Sequence, residues 1–207
     1  MKFNEYWNNH FTKSFENEIT YDNWLEKYQE ILKNCKTPVL DLGCGSGNNT
    51  LFLTEKGLKV IACDYSKVAL EKINKNFKDV ETVFLDIAQT LPFKDNSFDV
   101  IVADLTLHYF DTPTTFSVMG ELKRILTQNG YLFARVNSVA DTNYGAGQGE
   151  RIEENYYYVN GYNKRFFTLE DAEKFFSVIG KPSITEADML RYSKPKKVIE
   201  INVKKEL

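Results

Sequence analysis

The chain reads as an α/β protein, with helices on both faces of an open, mostly parallel sheet in three α-β-α layers. Three observations predict this. Short apolar runs alternate with segments of helical period along residues 37–136, the pattern of repeated strand-helix units. The first run passes directly into a glycine-rich turn, Gly43-Cys44-Gly45-Ser46-Gly47. Each later run stops at a carboxylate, Asp64, Asp86 or Asp104, so the polar groups collect at one carboxyl edge, where sheets of this kind bind ligands.

In chain order, residues 1–36 read as a helical cap, with Trp24, Leu25, Tyr28, Ile31 and Leu32 on one face after Thr20–Asp22. The first strand begins at Val39 and the second covers Val60–Asp64. Ser66 then caps a helix whose inner face is Ala69, Leu70, Ile73 and Phe77. Residues 81–85 and 98–103 are the third and fourth strands. Thr112-Pro113 opens the next helix, because proline lacks only an N–H that a first helical turn leaves unpaired. Met119, Leu122, Ile125 and Leu126 point inward, and Asn129-Gly130 ends the helix. Residues 131–136 make the fifth strand, reached by right-handed crossovers. After a long segment, 138–167, Thr168 caps a last helix that stops at Gly180, and residues 183–191 and 197–203 follow as a strand pair.

The chemistry is carried by what surrounds the glycines. Alternating glycines let a strand turn sharply into a helix and leave backbone bare for a ligand. Nicotinamide cofactors, flavins and S-adenosylmethionine all use such a turn. The dinucleotide pattern needs a small residue where this chain has Asn48, and Asp41 would repel a pyrophosphate at the helix N-terminus. No Gly-Lys-Ser/Thr follows for a phosphate cradle. A carboxylate ahead of the turn suits a ligand carrying an ammonium group, as in the methionine half of S-adenosylmethionine. Asp64 lies about 20 residues past the first glycine, the offset of a ribose-hydroxyl acceptor.

Asp41-Leu-Gly-Cys-Gly-Ser-Gly47, Asp64-Tyr65-Ser66, Asp86-Ile87, Leu91-Pro92-Phe93 with Ser97-Phe98-Asp99-Val100, and Glu121 to Leu126 with Asn129-Gly130 together resemble the class I S-adenosylmethionine-dependent methyltransferases. The resemblance covers roughly residues 37–136 and rests on the order and spacing of the motifs. It implies a Rossmann-like sheet of seven strands with an antiparallel last strand, and S-adenosylmethionine as cofactor with S-adenosylhomocysteine as product. It also implies cofactor contacts from Asp41, Gly43, Cys44, Gly45 and Gly47, a ribose clamp at Asp64 and Tyr65, an adenine site at Asp86 and Ile87, and a sulfonium border at Asp104 and Leu105. A fainter similarity, through Asn137-Ser138 to Tyr144-Gly145, Glu153-Glu154-Asn155 and Lys164 to Phe167, points to tellurite-resistance-type and other small-molecule methyltransferases.

Residues 138–167 are too long for a plain connection and leave the carboxyl edge. They read either as a lid that walls the acceptor pocket or as an ordinary hairpin with solvated charges. Tyr6, Trp7, Tyr109, Arg135 and Arg165 are the candidate substrate contacts, with Tyr6 and Trp7 otherwise core residues. His108 is the candidate base, needed only if the acceptor must lose a proton. Leu105 to Phe110 departs from the Asn/Asp-Pro-Pro-Tyr/Phe pattern of adenine and glutamine amino methylases. A small-molecule acceptor is therefore expected, with an RNA or protein methylase, or a non-catalytic cofactor-binding subunit, as alternatives. The 207 residues, 43% hydrophobic and 27% charged, read as one domain divided at 1–36, 37–136, 138–167 and 168–207. A net charge of −3 argues against a nucleic-acid partner. No apolar run approaches a membrane span of roughly 20 residues, and Met1-Lys2-Phe3-Asn4-Glu5 lacks the basic and apolar regions expected of a signal peptide. Three cysteines without CxxC spacing suggest reduced thiols, no metal site and a cytoplasmic location. A monomer or homodimer is expected.

Overall fold

The computed structural model describes residues 3–159 and 161–206. Its helices are α1 Phe3–Lys13, α2 Gln29–Lys33, α3 Asn48–Glu55, α4 Lys67–Asn76, α5 Thr112–Ile125 and α6 Leu169–Phe176. Its strands are β1 Val39–Leu42, β2 Val60–Asp64, β3 Glu81–Phe84, β4 Phe98–Asp104, β5 Leu126–Asn137, β6 Glu150–Glu153, β7 Tyr156–Val159, β8 Tyr162–Arg165, β9 Pro182–Met189 and β10 Lys196–Lys204. Seven of them form one sheet in the order β3-β2-β1-β4-β5-β10-β9. The pairs from β3 to β5 are parallel, and β10 runs antiparallel to both β5 and β9. The expected seven-stranded sheet with an antiparallel last strand is present.

Strand alternation builds two cores. Leu40 and Leu42, Ile101 and Ala103, and Leu132, Ala134 and Val136 pack with Met119 and Leu122 of α5 and Phe175 of α6. Their neighbours Val39, Val100, Val102 and Phe133 face the opposite side, with Phe52 of α3, Leu70 and Ile73 of α4, and Trp24 and Leu25. A period of two splits each central strand between the layers. Capping side chains start the helices: Ser66 Oγ accepts from Ala69 N at 3.2 Å, Asp111 from Thr114 N at 2.9 Å, and Thr168 and Asp171 form a reciprocal capping box. Among the described residues no helix is long and apolar enough to cross a membrane.

Three local expectations are corrected. The apolar face from Trp24 to Leu32 exists, but Asn23–Tyr28 winds as a 3-10 helix before the short α2. Helix α5 stops at Ile125, because buried Leu126 swings to extended backbone and pairs with Phe98; Asn129, at φ 67, turns inside the strand's irregular start instead of ending the helix. The segment after β5 has one strand more than a hairpin. It holds a small antiparallel sheet, β6-β7-β8, anchored where Arg165 N donates to His108 O at 2.7 Å and Tyr156 Oη to Tyr109 O at 3.0 Å. This flap and α1 meet over the carboxyl ends of β1, β2 and β4.

Candidate functional site

Where the strand ends meet α1 and the flap, they enclose a cavity of about 620 Å³. The glycine turn forms its floor through Gly43, Cys44 and Gly45. Gly43 has φ 71, and a Cβ there would overlap Thr106 Oγ1 and stand 2.7 Å from Thr106 Cβ. Only glycine permits both the left-handed backbone and that approach. Gly47 is off the wall; it is the left-handed N-cap of α3, packed against Ile73.

Asp64 lies on the wall and is 8% exposed, its two oxygens accepting from Gly45 N at 2.9 Å and Ser66 N at 2.8 Å. Burial raises its carboxyl to about 6, against the lowering effect of those amides. Tyr65, Asp86 and Ile87 continue this end of the wall, with Asp86 Oδ1 accepting from Ala88 N at 3.0 Å. Asp41 sits elsewhere than expected. Alternation along β1 turns it to the α3 face, where Thr50 Oγ1 donates to Oδ2 at 2.6 Å. Burial, with Asp104 and Asp64 nearby, pushes its carboxyl to about 7.

Asp104 and Leu105 mark the middle of the cavity. Leu105 holds φ 56, a conformation costing a non-glycine residue roughly 1–2 kcal/mol, and its N–H donates to Arg135 O at 2.9 Å. Arg135 is not on the wall. Both edges of its guanidinium are engaged, by Asp104 at 2.7 Å and by Asp22 at 2.7 and 3.1 Å, and it lies over the Trp24 ring. Arg165 is also turned away, paired with Glu153 at 2.6 Å and bonded to Thr112 and the Phe110 carbonyl. Alternation along β8 decides this: Lys164, one residue earlier, faces the cavity.

Tyr6, Trp7, His108 and Tyr109 do line the cavity. Trp7 meets Tyr109 edge-on at 5.3 Å and Tyr6 lies 4.7 Å from Tyr162, closing the roof. The roof is tied down by Ser66 Oγ donating to Asn8 Oδ1 at 2.7 Å and by Lys72 Nζ donating to the Ser14 and Asn17 carbonyls at 2.7 and 2.9 Å. Burial, and then the charges of Lys164 and Lys196, hold His108 well below the usual histidine range, so it is neutral at pH 7. Cys44 and Cys63 are pushed up by burial and remain thiols. Wall residues that sequence reasoning missed include Asn137, Arg191, Tyr192 and Lys196. Asn137 ends β5 as Asp104 ends β4, a signal present in the sequence; Arg191 and Tyr192 come from the β9–β10 turn and Lys196 from the start of β10, placed only by long-range pairing.

A methyltransferase-domain family profile matches residues 40–134. The fold is that of a S-adenosylmethionine-dependent methyltransferase from Anabaena variabilis, at TM-score 0.68 and 16% identity, over 100% of this chain and 96% of that one. The chain has the class I S-adenosylmethionine-dependent methyltransferase fold, with a methyltransferase-domain match over its central sheet. Its curated relatives include an uncharacterized methyltransferase of Synechocystis, 32% identical over 48% of this chain and 46% of that protein. Another is a tRNA N(3)-cytidine methyltransferase of Xenopus tropicalis, 29% identical over 69% of this chain and 46% of that protein. The chain thus spans about half the length of these relatives.

The residues fit the cofactor of this methyltransferase family. Asp64, Asp86 and Asp104 on one wall match a ligand that carries positive charge and no phosphate. The bare backbone at Gly43 leaves room for it. Gly43, Cys44 and Gly45 would hold the methionine half, Asp64 and Tyr65 the ribose, and Asp86 and Ile87 the adenine.

Proposed function

We propose that this chain transfers a methyl group from S-adenosylmethionine to a small molecule enclosed with it in the cavity. The observation that carries the proposal is the continuity of one wall, from the acid-rich glycine floor at Asp64 past Asp104 to His108, Asn137 and the flap tyrosines. The cofactor would supply an electrophilic methyl on a sulfonium, displaced in line by the acceptor and leaving S-adenosylhomocysteine. The protein's part is positioning. Holding two reactants in alignment and excluding water lowers the barrier without a covalent intermediate. The tethered α1 roof and the flap cover the cavity, and the Asp104–Arg135–Asp22 network stiffens the end of β4 beside the transfer point. His108 presents a neutral imidazole whose Nδ1 has no partner among the described residues, so it can orient the acceptor through a hydrogen bond.

The tRNA-modifying relative supports a second reading, methylation of RNA. Lys164 and Lys196 of the cavity are buried, whereas an RNA chain binds along an exposed basic face. Incubation with methyl-labelled S-adenosylmethionine, a cell extract and total tRNA separates the two. Label should appear in the low-molecular-weight fraction; label confined to tRNA would overturn the small-molecule proposal.

A further inference from the structure

Beyond Asp104 the cavity changes sign. Its wall there carries Lys164 from β8, Arg191 from the β9–β10 turn and Lys196 from β10. Two of these cations are matched. Lys196 Nζ meets Asp141 Oδ2 at 2.6 Å, and Arg191 meets Asp104 at 3.1 Å. Lys164 makes no ion pair among the described residues. Its residue is 8% exposed, its ammonium donates to the Tyr144 carbonyl at 3.1 Å, and it lies 5.8 Å from the Tyr162 ring. A buried cation without a counter-charge is costly. Burial and neighbouring Lys196 accordingly lower its ammonium to about 8.

The same wall holds polar atoms with nothing to bond. Asn137 is fully buried, and among the described residues neither its amide nitrogen nor its oxygen has a partner, nor do His108 Nδ1 and Arg191 Nη1. Such groups are normally satisfied in folded proteins, so four of them at one cavity end mark a place built for a polar ligand. The surrounding surface is aromatic, from Tyr109, Tyr144, Tyr162 and Tyr192.

We infer that this end is an acceptor subsite for a small aromatic monocarboxylate, with the carboxylate against Lys164 and the unspent donors of Asn137 and Arg191, and the ring between the tyrosines. One uncompensated cation matches one negative charge; a phosphate dianion would leave charge buried and unpaired. The inference rests on the proposed cofactor site, because the acceptor must lie beside the sulfonium that Asp104 and Leu105 border.

The test is calorimetric titration of the protein saturated with S-adenosylhomocysteine, using benzoate, phenylacetate and 3-phenylpropionate against their amides. At least one carboxylate should bind about tenfold or more tighter than its amide, the scale of a charge-assisted hydrogen bond. Lys164→Met should remove that preference while S-adenosylhomocysteine affinity stays within about twofold, and Lys164→Arg should keep it. Asn137→Asp, close in volume, should reverse the preference toward the amide by placing a carboxylate on the wall. Carboxylates no tighter than amides, no carboxylate binding, or a preference that survives Lys164→Met would overturn the inference and leave the cofactor reading standing. A folded protein that fails to bind S-adenosylhomocysteine would overturn both.

Discussion

Gly43→Ala is the substitution whose cost can be worked most fully from the structure. The backbone at Gly43 has φ 71, and forcing an L side chain into that region costs roughly 1–2 kcal/mol. The added methyl also collides with the Thr106 side chain, 2.7 Å from its Cβ, and overpacking of this kind costs about 1–3 kcal/mol. The expected loss is therefore about 2–5 kcal/mol, which in a chain of this size lowers the melting temperature by about 4–20 °C. Gly57→Ala is the control, since Gly57 has φ 76 with nothing within 4 Å; it should show the backbone part alone, about 1–2 kcal/mol. Adding Thr106→Gly to Gly43→Ala should recover the steric part, so a double-mutant cycle should give a coupling of about 1–3 kcal/mol. Calorimetric melts of the four variants, with S-adenosylhomocysteine titrations beside them, read all of this. If Gly43→Ala melts no lower than Gly57→Ala and binds S-adenosylhomocysteine as the parent does, the close approach of turn and Thr106 has no energetic meaning.

Asp41 and Asp64 bind protons more tightly in the folded chain than in the unfolded one, at about 7 and about 6 against a reference of 3.8. Their contribution to stability is therefore full below pH 4 and is lost as pH rises through about 6 and about 7. Asp41 faces Asp64, Asp104 and the Thr50 hydroxyl, so Asp41→Asn should raise stability at pH 8 and flatten the decline between pH 5 and 8 in urea titrations. Binding of a cationic cofactor should release protons near pH 6.5, seen as a buffer-dependent calorimetric enthalpy. Arg135→Met would leave Asp104 and Asp22 facing one another without their shared cation; a loss of about 3–5 kcal/mol is expected, with S-adenosylhomocysteine affinity in the surviving folded protein changed far less than by Asp64→Ala. Thr168→Ala removes one side of the capping box and should cost about 1 kcal/mol in thermal melts, with no effect on ligand binding.

How much of this was legible in the sequence depends on the range of the interaction involved. The glycine turn, Asp64, Asp86 and Asp104 were readable because each is set by local pattern, a strand running to its end at one edge of a parallel sheet. Asp41 was misplaced by the same logic: it lies inside β1, where alternation sends it to the α3 face. Cations were harder still. Arg135 and Arg165 are chemically suitable, yet Asp104, Asp22 and Glu153, distant in sequence, engage them. Lys164 and Arg191 line the cavity because of β8 alternation and the β9–β10 pairing, neither of which leaves a local signal. Leu126 shows the same limit at an element boundary: it carries helical periodicity, but its pairing with Phe98 on β4 ends the helix.

The central claim is that the acid-rich end of this cavity is a binding site for the cationic cofactor and its product. Isothermal titration of the full chain with S-adenosylhomocysteine tests it most directly. One site per chain is predicted, and Asp64→Ala should weaken it by at least about tenfold, since charge-assisted hydrogen bonds of about 1.5–3 kcal/mol are lost. A folded protein that gives no binding heat at several temperatures, or an Asp64→Ala variant that binds as tightly as the parent, would contradict the account.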